Sequence, residues 1–249
     1  MKNSTKLAIY NAIALLLVIL VNFLSNYLPI NGQTTGQISS EINVLFTPAG
    51  YVFSIWGLIY LLLVFWVIGL FYSSAGRDIA NRVSYLFVIN AFLNIGWIFF
   101  FHYEYFAWTL LIMVGLLFNL IYIYNILNDP NISRMWQIPF SIYLGWVTIA
   151  TILNVGIVLK TFGYQQYILY EPLWTILLLI MSTLLAMWFA ITKKDLLYPL
   201  VFVWAFIGIA VKRIAEYPAI GYTAIIMTII LVVFIVYTIF KNKTIKIVS

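Results

Sequence analysis

The sequence predicts an all-α fold, a polytopic bundle of about eight transmembrane helices. Of its 249 residues, 65% are hydrophobic and only 8% are charged, whereas an ordinary soluble domain is about 25% charged. Thirteen basic and seven acidic side chains are too few to cover a globule of this size, so lipid must surround most of it. The apolar residues form long runs without the alternation of a strand, and such runs cross a bilayer as helices.

The spans follow from the length of these runs, since a helix needs about 20 apolar residues to cross the hydrocarbon layer. The first run, Leu7 to Leu28, is longer than the core of a secretion signal, so we interpret it as a transmembrane helix. Lys-Lys-Asp at 193–195 is a very short turn, and any error in the count is expected there. The predicted spans lie near 7–28, 47–72, 83–101, 106–127, 137–159, 172–192, 196–213 and 219–240.

The basic residues predict the orientation, because loops on the cytoplasmic side carry an excess of lysine and arginine. With eight spans, three basic residues fall on one side: Lys160, Lys212 and Arg213. The other side carries Lys2, Lys6, Arg77, Arg82, Arg134, Lys193, Lys194, Lys241, Lys243 and Lys246. We therefore expect a multi-pass protein of the cell membrane with both termini in the cytoplasm.

Several classes of function find no support in the composition. The net charge of +6 is spread over loops and forms no basic stripe of the kind that binds nucleic acid. The chain has no cysteine, and its one histidine, His102, cannot form a histidine-rich metal site. No acidic residue lies well inside a span, which disfavours an ion-coupled pump. No nucleophile–base pair or phosphate loop is present, so we expect neither enzymatic activity nor a cofactor.

Three predicted spans carry aromatic and amide side chains at helical spacing, which places them on single stripes. Asparagine in hydrocarbon needs a hydrogen-bonding partner, so the stripes should face the protein interior. They describe either a polar brace between helices or an apolar ligand pocket with a few polar groups. The residues are Phe53, Trp56 and Tyr60 in the second span, Asn90, Asn94 and Trp97 in the third, and Tyr143, Trp146, Ala150 and Asn154 in the fifth.

The same three segments resemble the tryptophan-rich sensory protein (TspO/MBR) family, the relatives of the mitochondrial translocator protein or peripheral-type benzodiazepine receptor. "TPAGYVFSIWGLIYLL" is similar to the second helix of the family, with Pro48 at its proline motif. "NAFLNIGWIFFF" resembles the third helix, through Phe101 among others, and "YLGWVTIATILN" closely resembles the fifth. The likeness covers residues 7–159.

The resemblance implies a five-helix bundle, residues 1–159, whose cavity is closed by the first long loop. It leaves residues 160–249 as an additional three-helix transmembrane extension packed on that bundle. Members of the family bind porphyrins, sterols and aromatic drug-like molecules, often as dimers, so a homodimer is one expectation here. The resemblance places Trp56, Asn94, Trp146 and Ala150 in the pocket, with Tyr60, Trp97, Tyr143 and Asn154 as weaker candidates.

The chain departs from the family pattern in three places near the expected pocket. Ala49 replaces the second proline of the motif, Ile142 replaces the proline before the Tyr-Leu-Ala-Trp motif, and the first long loop contains no tryptophan. These departures leave the identity of the ligand open.

We therefore expect a membrane-embedded binding protein of the sensory or translocator type, with a flat hydrophobic ligand such as a porphyrin or a sterol-like molecule. A tetrapyrrole would be its ligand and not a cofactor. The alternative is a transporter or permease for a small apolar solute. A third hypothesis, enzymatic breakdown of porphyrins, has the least support in the residues.

Overall fold

The chain is built of helices throughout the part that its computed structural model describes, residues 3–28, 30–163 and 170–248. Short 3-10 helices precede or join some of the α-helices, at Ile30–Gly32, Gly50–Ser54 and Arg134–Trp136. The α-helices are α1 (Asn3–Tyr27), α2 (Thr35–Ile42), α3 (Ile55–Tyr72), α4 (Ser74–Val83), α5 (Leu86–His102), α6 (Phe106–Leu127), α7 (Ile138–Thr161), α8 (Glu171–Lys193), α9 (Leu197–Arg213) and α10 (Pro218–Val248).

The predicted all-α polytopic bundle is confirmed, and each predicted span contains one of the long helices. In the described residues, six helices are long and apolar enough to cross a membrane, and the bent pair α4–α5 would be a seventh. The remaining one, α9, has 17 residues, which at about 1.5 Å per residue reaches roughly 25 Å. Lys2 and the side chains of Lys243 and Lys246, used above for orientation, lie outside the described residues.

Two short helices, α2 and α4, were not among the predictions, and both flank the spans. The side chain of Thr34 accepts a hydrogen bond from the Gln37 backbone and Gln37 returns one, which forms a capping box at the start of α2. On α4, Ile79, Ala80 and Val83 are buried while Arg77 and Arg82 are exposed, as in a helix lying at the membrane interface.

The helix of the third span, α5, begins at Leu86, three residues after the predicted start near residue 83. Ser84 has a φ of 50°, a left-handed backbone that ends α4, and α5 then leaves at an angle of 62°. The Arg82 guanidinium contacts the carboxylates of Asp78, at 2.8 Å, and Asp129, at 3.1 Å, and so joins α4 to the loop after α6.

Contacts between Cα atoms divide the chain into two compact units. The first unit comprises the chain up to Val44 and Ser54–Phe162, and the second comprises Leu45–Phe53 and the chain from Gly163 onward. Helices α1 to α7 thus belong to the first unit and α8 to α10 to the second. The predicted division of the chain into domains at residues 159 and 160 stays a prediction.

In the first unit, α1 packs against α3, α4 and α5, while α7 packs against α3 and α6. The turn between α3 and α4 is tight, because the Ser73 hydroxyl accepts the Gly76 backbone N–H at 2.8 Å. A β-carbon on Gly76 would collide with the backbone oxygen of Gly69 and lie 2.8 Å from the α-carbon of Leu70. Glycine therefore permits this reversal.

The first long loop of the unit is folded over the ends of α5 and α7. Ile38 and Ser39 of α2 are buried, and α2 contacts both of these helices. Two hydrogen bonds fix the loop on either side of α2: the Asn31 amide donates to the His102 backbone oxygen at 3.1 Å, and the Lys160 ammonium donates to that of Asn43 at 2.9 Å.

In the second unit, the helices α8, α9 and α10 each pack against the other two. Phe189 of α8 stacks on Tyr198 of α9 with ring centroids 3.9 Å apart, and Phe202 and Phe206 continue this row of rings along α9. The core of this unit is therefore largely aromatic on the face of α9.

Candidate functional site

Four of the predicted site residues form one aromatic cluster in the first unit: Trp56 and Tyr60 from α3, and Tyr143 and Trp146 from α7. Trp56 stacks on Tyr60 with ring centroids 5.5 Å apart. It meets Tyr143 edge-to-face at 5.6 Å and Trp146 edge-to-face at 6.4 Å. A step of four residues on α3 and of three on α7 turns each pair toward the facing helix, so the stripes predicted from spacing meet.

The aromatic cluster has a buried floor and a partly exposed rim. Tyr143 and Trp146 are buried, whereas Trp56 and Tyr60 keep part of their surface accessible. The Tyr60 ring packs against Ala14, Val18 and Ala91 of α1 and α5. Four helices of the first unit therefore enclose the cluster.

A chain of amide hydrogen bonds supports the floor of the cluster from the side of α5. The Asn94 amide nitrogen donates to the Tyr143 hydroxyl at 3.0 Å, and the Asn94 oxygen accepts from the Asn22 amide, also at 3.0 Å. Asn22 in turn donates to the Val18 carbonyl at 2.9 Å. These bonds fix the orientation of the Tyr143 ring and join α1, α5 and α7.

Asn22 was not predicted as part of this arrangement. Its signal is the same as that of Asn94, an amide inside an apolar run, and a search for every asparagine within a span would have found it.

A second polar contact joins Trp97 of α5 to α7. The Trp97 indole N–H donates to the Asn154 side-chain oxygen at 3.2 Å, and the Asn154 amide donates to the Ala150 carbonyl at 2.7 Å. Trp97 also stacks on Phe101 with centroids 4.8 Å apart. Three further predicted site residues thus belong to one brace between α5 and α7.

The remaining two predicted residues lie elsewhere. Asn90 donates to the side-chain oxygen of Asn119 on α6 at 3.0 Å, and Asn119 donates to the Leu86 carbonyl at 3.1 Å. Phe53 belongs to the second unit. A ligand-binding role for any of the ten predicted residues stays a prediction.

Asn94 and Asn154 already use their side-chain hydrogen-bonding groups within the protein. Both side-chain atoms of Asn94 and of Asn154 have protein partners. Of the two possibilities left open by the sequence, this arrangement has the form of a brace. A ligand in the aromatic cluster would therefore take its polar contact from another group.

The Tyr60 hydroxyl is such a group, because it is buried and has no hydrogen-bond partner among the described residues. The same holds in this unit for the Asn11 amide on α1, the Trp66 indole N–H on α3 and the Ser141 hydroxyl on α7. A buried polar group without a partner costs about 1–3 kcal/mol. Of these four residues, Tyr60 is the one that lies in the aromatic cluster.

The cluster is electrically neutral, which suits an apolar ligand and not an ion. Within the residues that the structure describes, no group of three histidine, cysteine or acidic side chains could hold a metal ion. His102 is buried at the end of α5. Its Nδ1 donates to the Ile98 carbonyl at 2.7 Å, and its Nε2 lies 3.4 Å from the Thr35 hydroxyl. It serves to hold the loop.

An apolar groove of about 330 Å³ lies between α1 and α5. Tyr10 stacks on Tyr85 at its side with centroids 6.1 Å apart, and the Phe92 ring is exposed. These exposed rings indicate a face turned toward lipid. The lining residues are Tyr10, Ile13, Ala14, Leu17, Tyr85, Val88, Ala91, Phe92 and Ile95.

Comparison with known proteins gives one family. A family model described as TSPO-like protein matches residues 8–237. The match runs through α8, α9 and most of α10, so the helices expected as an extension lie within the matched region. No match was found among curated proteins, and none among solved structures.

Proposed function

The chain belongs to the TSPO-like protein family, and on that premise we propose that it is a membrane-embedded binding protein for flat hydrophobic ligands such as porphyrins or sterol-like molecules. Six described helices that can cross a bilayer make it a multi-pass membrane protein. One observation carries the proposal: Trp56, Tyr60, Tyr143 and Trp146 meet in a neutral cluster inside the first unit.

The geometry of the cluster supports a planar ligand. Aromatic pairs contribute about 0.5–1.5 kcal/mol beyond the area that they bury, and offset stacking suits an extended π-system. Trp56 and Tyr60 supply accessible rings at the rim, while Tyr143 and Trp146 form a rigid floor. The Tyr60 hydroxyl supplies one hydrogen-bond donor for a polar edge of the ligand.

Titration of the purified protein in nanodiscs with protoporphyrin IX tests the proposal. The readouts are the porphyrin absorption band and tryptophan fluorescence. We expect saturable binding that weakens at least tenfold in a Trp56→Ala, Trp146→Ala double variant, because two stacking surfaces are lost. Trp108→Ala is the matched control, since Trp108 on α6 is 56% exposed and lies outside the cluster. Equal affinities in the two variants would refute the cluster as the binding site.

Transport of a small apolar solute is the second candidate. The observation in its favour is the set of buried polar atoms without described partners on three helices of the first unit, at Asn11, Trp66 and Ser141. Such atoms would suit a route that a solute or water passes through. Saturable flux of a porphyrin or sterol into liposomes holding the protein would favour transport, and binding without flux would favour a sensor.

We further propose that the protein lies in the cell membrane with both termini in the cytoplasm, that it forms a homodimer, and that binding is not followed by chemistry. Incubation with protoporphyrin IX in light and in air, compared with an anaerobic sample in the dark, tests the last point. If the porphyrin absorption band is lost only in samples that contain the protein, the protein is an enzyme.

A further inference from the structure

The segment Leu45–Phe53 lies in the second unit although the chain on both sides of it lies in the first. This segment carries the proline motif that resembles the family and leads without a break into α3 through the 3-10 helix Gly50–Ser54. Its main-chain groups are hydrogen-bonded by residues of α8 and α9 at three levels.

At the first level, two charged side chains form hydrogen bonds with the main chain of Leu45. The Glu171 carboxylate accepts the Leu45 backbone N–H at 3.1 Å, and the Arg213 Nε donates to the Leu45 backbone oxygen at 3.0 Å. Glu171 begins α8 and Arg213 ends α9. Arg213 is only 1% exposed, so its charge is held in the interior of the unit by such contacts.

The second level is a close approach of the segment to Gly208 in the middle of α9. The Ala49 backbone N–H donates to the Gly208 carbonyl at 3.1 Å. A β-carbon on Gly208 would collide with the Val52 side chain and lie 3.1 Å from the β-carbon of Pro48. Glycine is thus the residue that lets the segment lie directly on the helix.

The third level is the Trp204 side chain on α9. Its indole N–H donates to the Val52 carbonyl at 3.0 Å, and its ring meets that of Tyr51 edge-to-face with centroids 5.5 Å apart. Val52 is fully buried. The Trp204 indole N–H is therefore a hydrogen-bond partner for a carbonyl that water does not reach.

We propose that α8 and α9 form a clamp whose ligand is the chain's own segment Leu45–Phe53, and that this clamp fixes the path of the segment's main chain within the second unit. The main-chain groups of the segment need hydrogen-bond partners wherever they are buried, and residues of α8 and α9 are those partners. Because the bonds go to the main chain, they fix the path of the segment and not merely its side chains.

Trp204, Gly208 and Arg213 are accordingly positioning residues for the segment Leu45–Phe53. Loss of the bond from Trp204 would leave the buried Val52 carbonyl without that partner, so the main chain of the segment would open more often.

The test uses the full chain in nanodiscs and measures hydrogen exchange of the peptide covering residues 45–53. Trp204→Phe removes the indole N–H and keeps an aromatic ring against Tyr51. Gly208→Ala adds the colliding β-carbon. Trp188→Phe is the control, since Trp188 on α8 is 59% exposed. One lost hydrogen bond changes an equilibrium about 2- to 12-fold.

We expect exchange at 45–53 to accelerate about 2- to 12-fold in Trp204→Phe and at least as much in Gly208→Ala, with wild-type rates in Trp188→Phe. Unchanged exchange in both clamp variants would overturn the clamp, whether or not a porphyrin binds. Exchange that accelerates equally in Trp188→Phe would likewise overturn the clamp, because the effect would not depend on the bonds to the segment.

Discussion

At the residue scale, the two tyrosines of the aromatic cluster differ in the hydrogen bonding of their hydroxyl groups. The Tyr143 hydroxyl accepts from Asn94, whereas the buried Tyr60 hydroxyl has no partner among the described residues. The spacing of residues 56, 60, 143 and 146 predicted that these rings share faces, and that much was readable from the sequence. The sequence could not separate the two hydroxyls, because their partners come from other helices.

Replacing each tyrosine by phenylalanine should separate stability from binding. Tyr143→Phe leaves the Asn94 amide without its acceptor and should lower stability by about 0.6 kcal/mol, the average for a hydrogen bond between transmembrane helices, and by no more than about 1.7 kcal/mol. Tyr60→Phe removes a hydroxyl without a partner, so stability should be unchanged or higher while porphyrin affinity falls about 2- to 12-fold. Thermal unfolding in detergent and porphyrin titration measure the two effects. A Tyr60→Phe variant that is less stable yet binds normally would contradict this assignment.

The asparagines show the limit of reading single residues. An amide in an apolar run predicts an inward-facing side chain, and Asn90, Asn94 and Asn154 are indeed buried. The partners Asn22 and Asn119 lie 72 and 29 residues away in sequence. Periodicity along one helix carries no information about which residue of another helix lies opposite, so a brace could be predicted as one possibility but its partner residues could not.

At the element scale, the long helices were predictable and the short ones were not. An apolar run of about 20 residues is a strong local signal, whereas α2 and α4 have 8 and 10 residues and mixed composition. Their stability comes from capping by Thr34 and Ser73 and from packing on the bundle. The turn before α4 depends on one residue in particular, Gly76.

Gly76→Ala should destabilise the first unit by about 1–3 kcal/mol, because the new β-carbon collides with the backbone of α3 and cannot be relieved by a side-chain rotation. Gly57→Ala is the matched control on α3, since nothing among the described residues lies within 4 Å of its β-carbon. That change should stabilise the helix by about 0.5–1 kcal/mol. Thermal unfolding of both variants decides the point, and equal unfolding temperatures would contradict the close approach.

The segment Leu45–Phe53 is the element whose contacts the sequence did not indicate. The second span was expected near residues 47–72, and the helical stretch from Gly50 to Tyr72 is long and apolar enough to cross a membrane. Nothing in the sequence indicated that the residues at its start are bound to α8 and α9. The residues that hold it follow more than 100 positions later. No local pattern indicates such a contact, although the glycine at 208 in an apolar helix is the one local feature consistent with it.

At the scale of the whole molecule, the orientation depends on whether α9 crosses the membrane. The ten-to-three bias of basic residues assumes an even number of spans. The chain has no cysteine, so single cysteines can report the side of each loop without background. Ser74, Ser133, Tyr103 and Ala215 are exposed positions in or next to the loops concerned.

A membrane-impermeant maleimide added to intact cells should label cysteine at 103 and 215 and leave cysteine at 74 and 133 unlabelled until the membrane is opened. This pattern follows if every predicted span crosses and both termini lie inside. Labelling at 103 without labelling at 215 would mean that α9 does not cross, and labelling at 74 and 133 alone would mean that the protein is inverted.

The account as a whole depends on where a planar ligand binds, and a structure of the protein with protoporphyrin IX bound measures this directly. We predict planar density in van der Waals contact, within about 4 Å, of the rings of Trp56 and Trp146, with a polar edge next to the Tyr60 hydroxyl. Density confined to the groove between α1 and α5, beside Tyr10 and Phe92, would contradict the central claim.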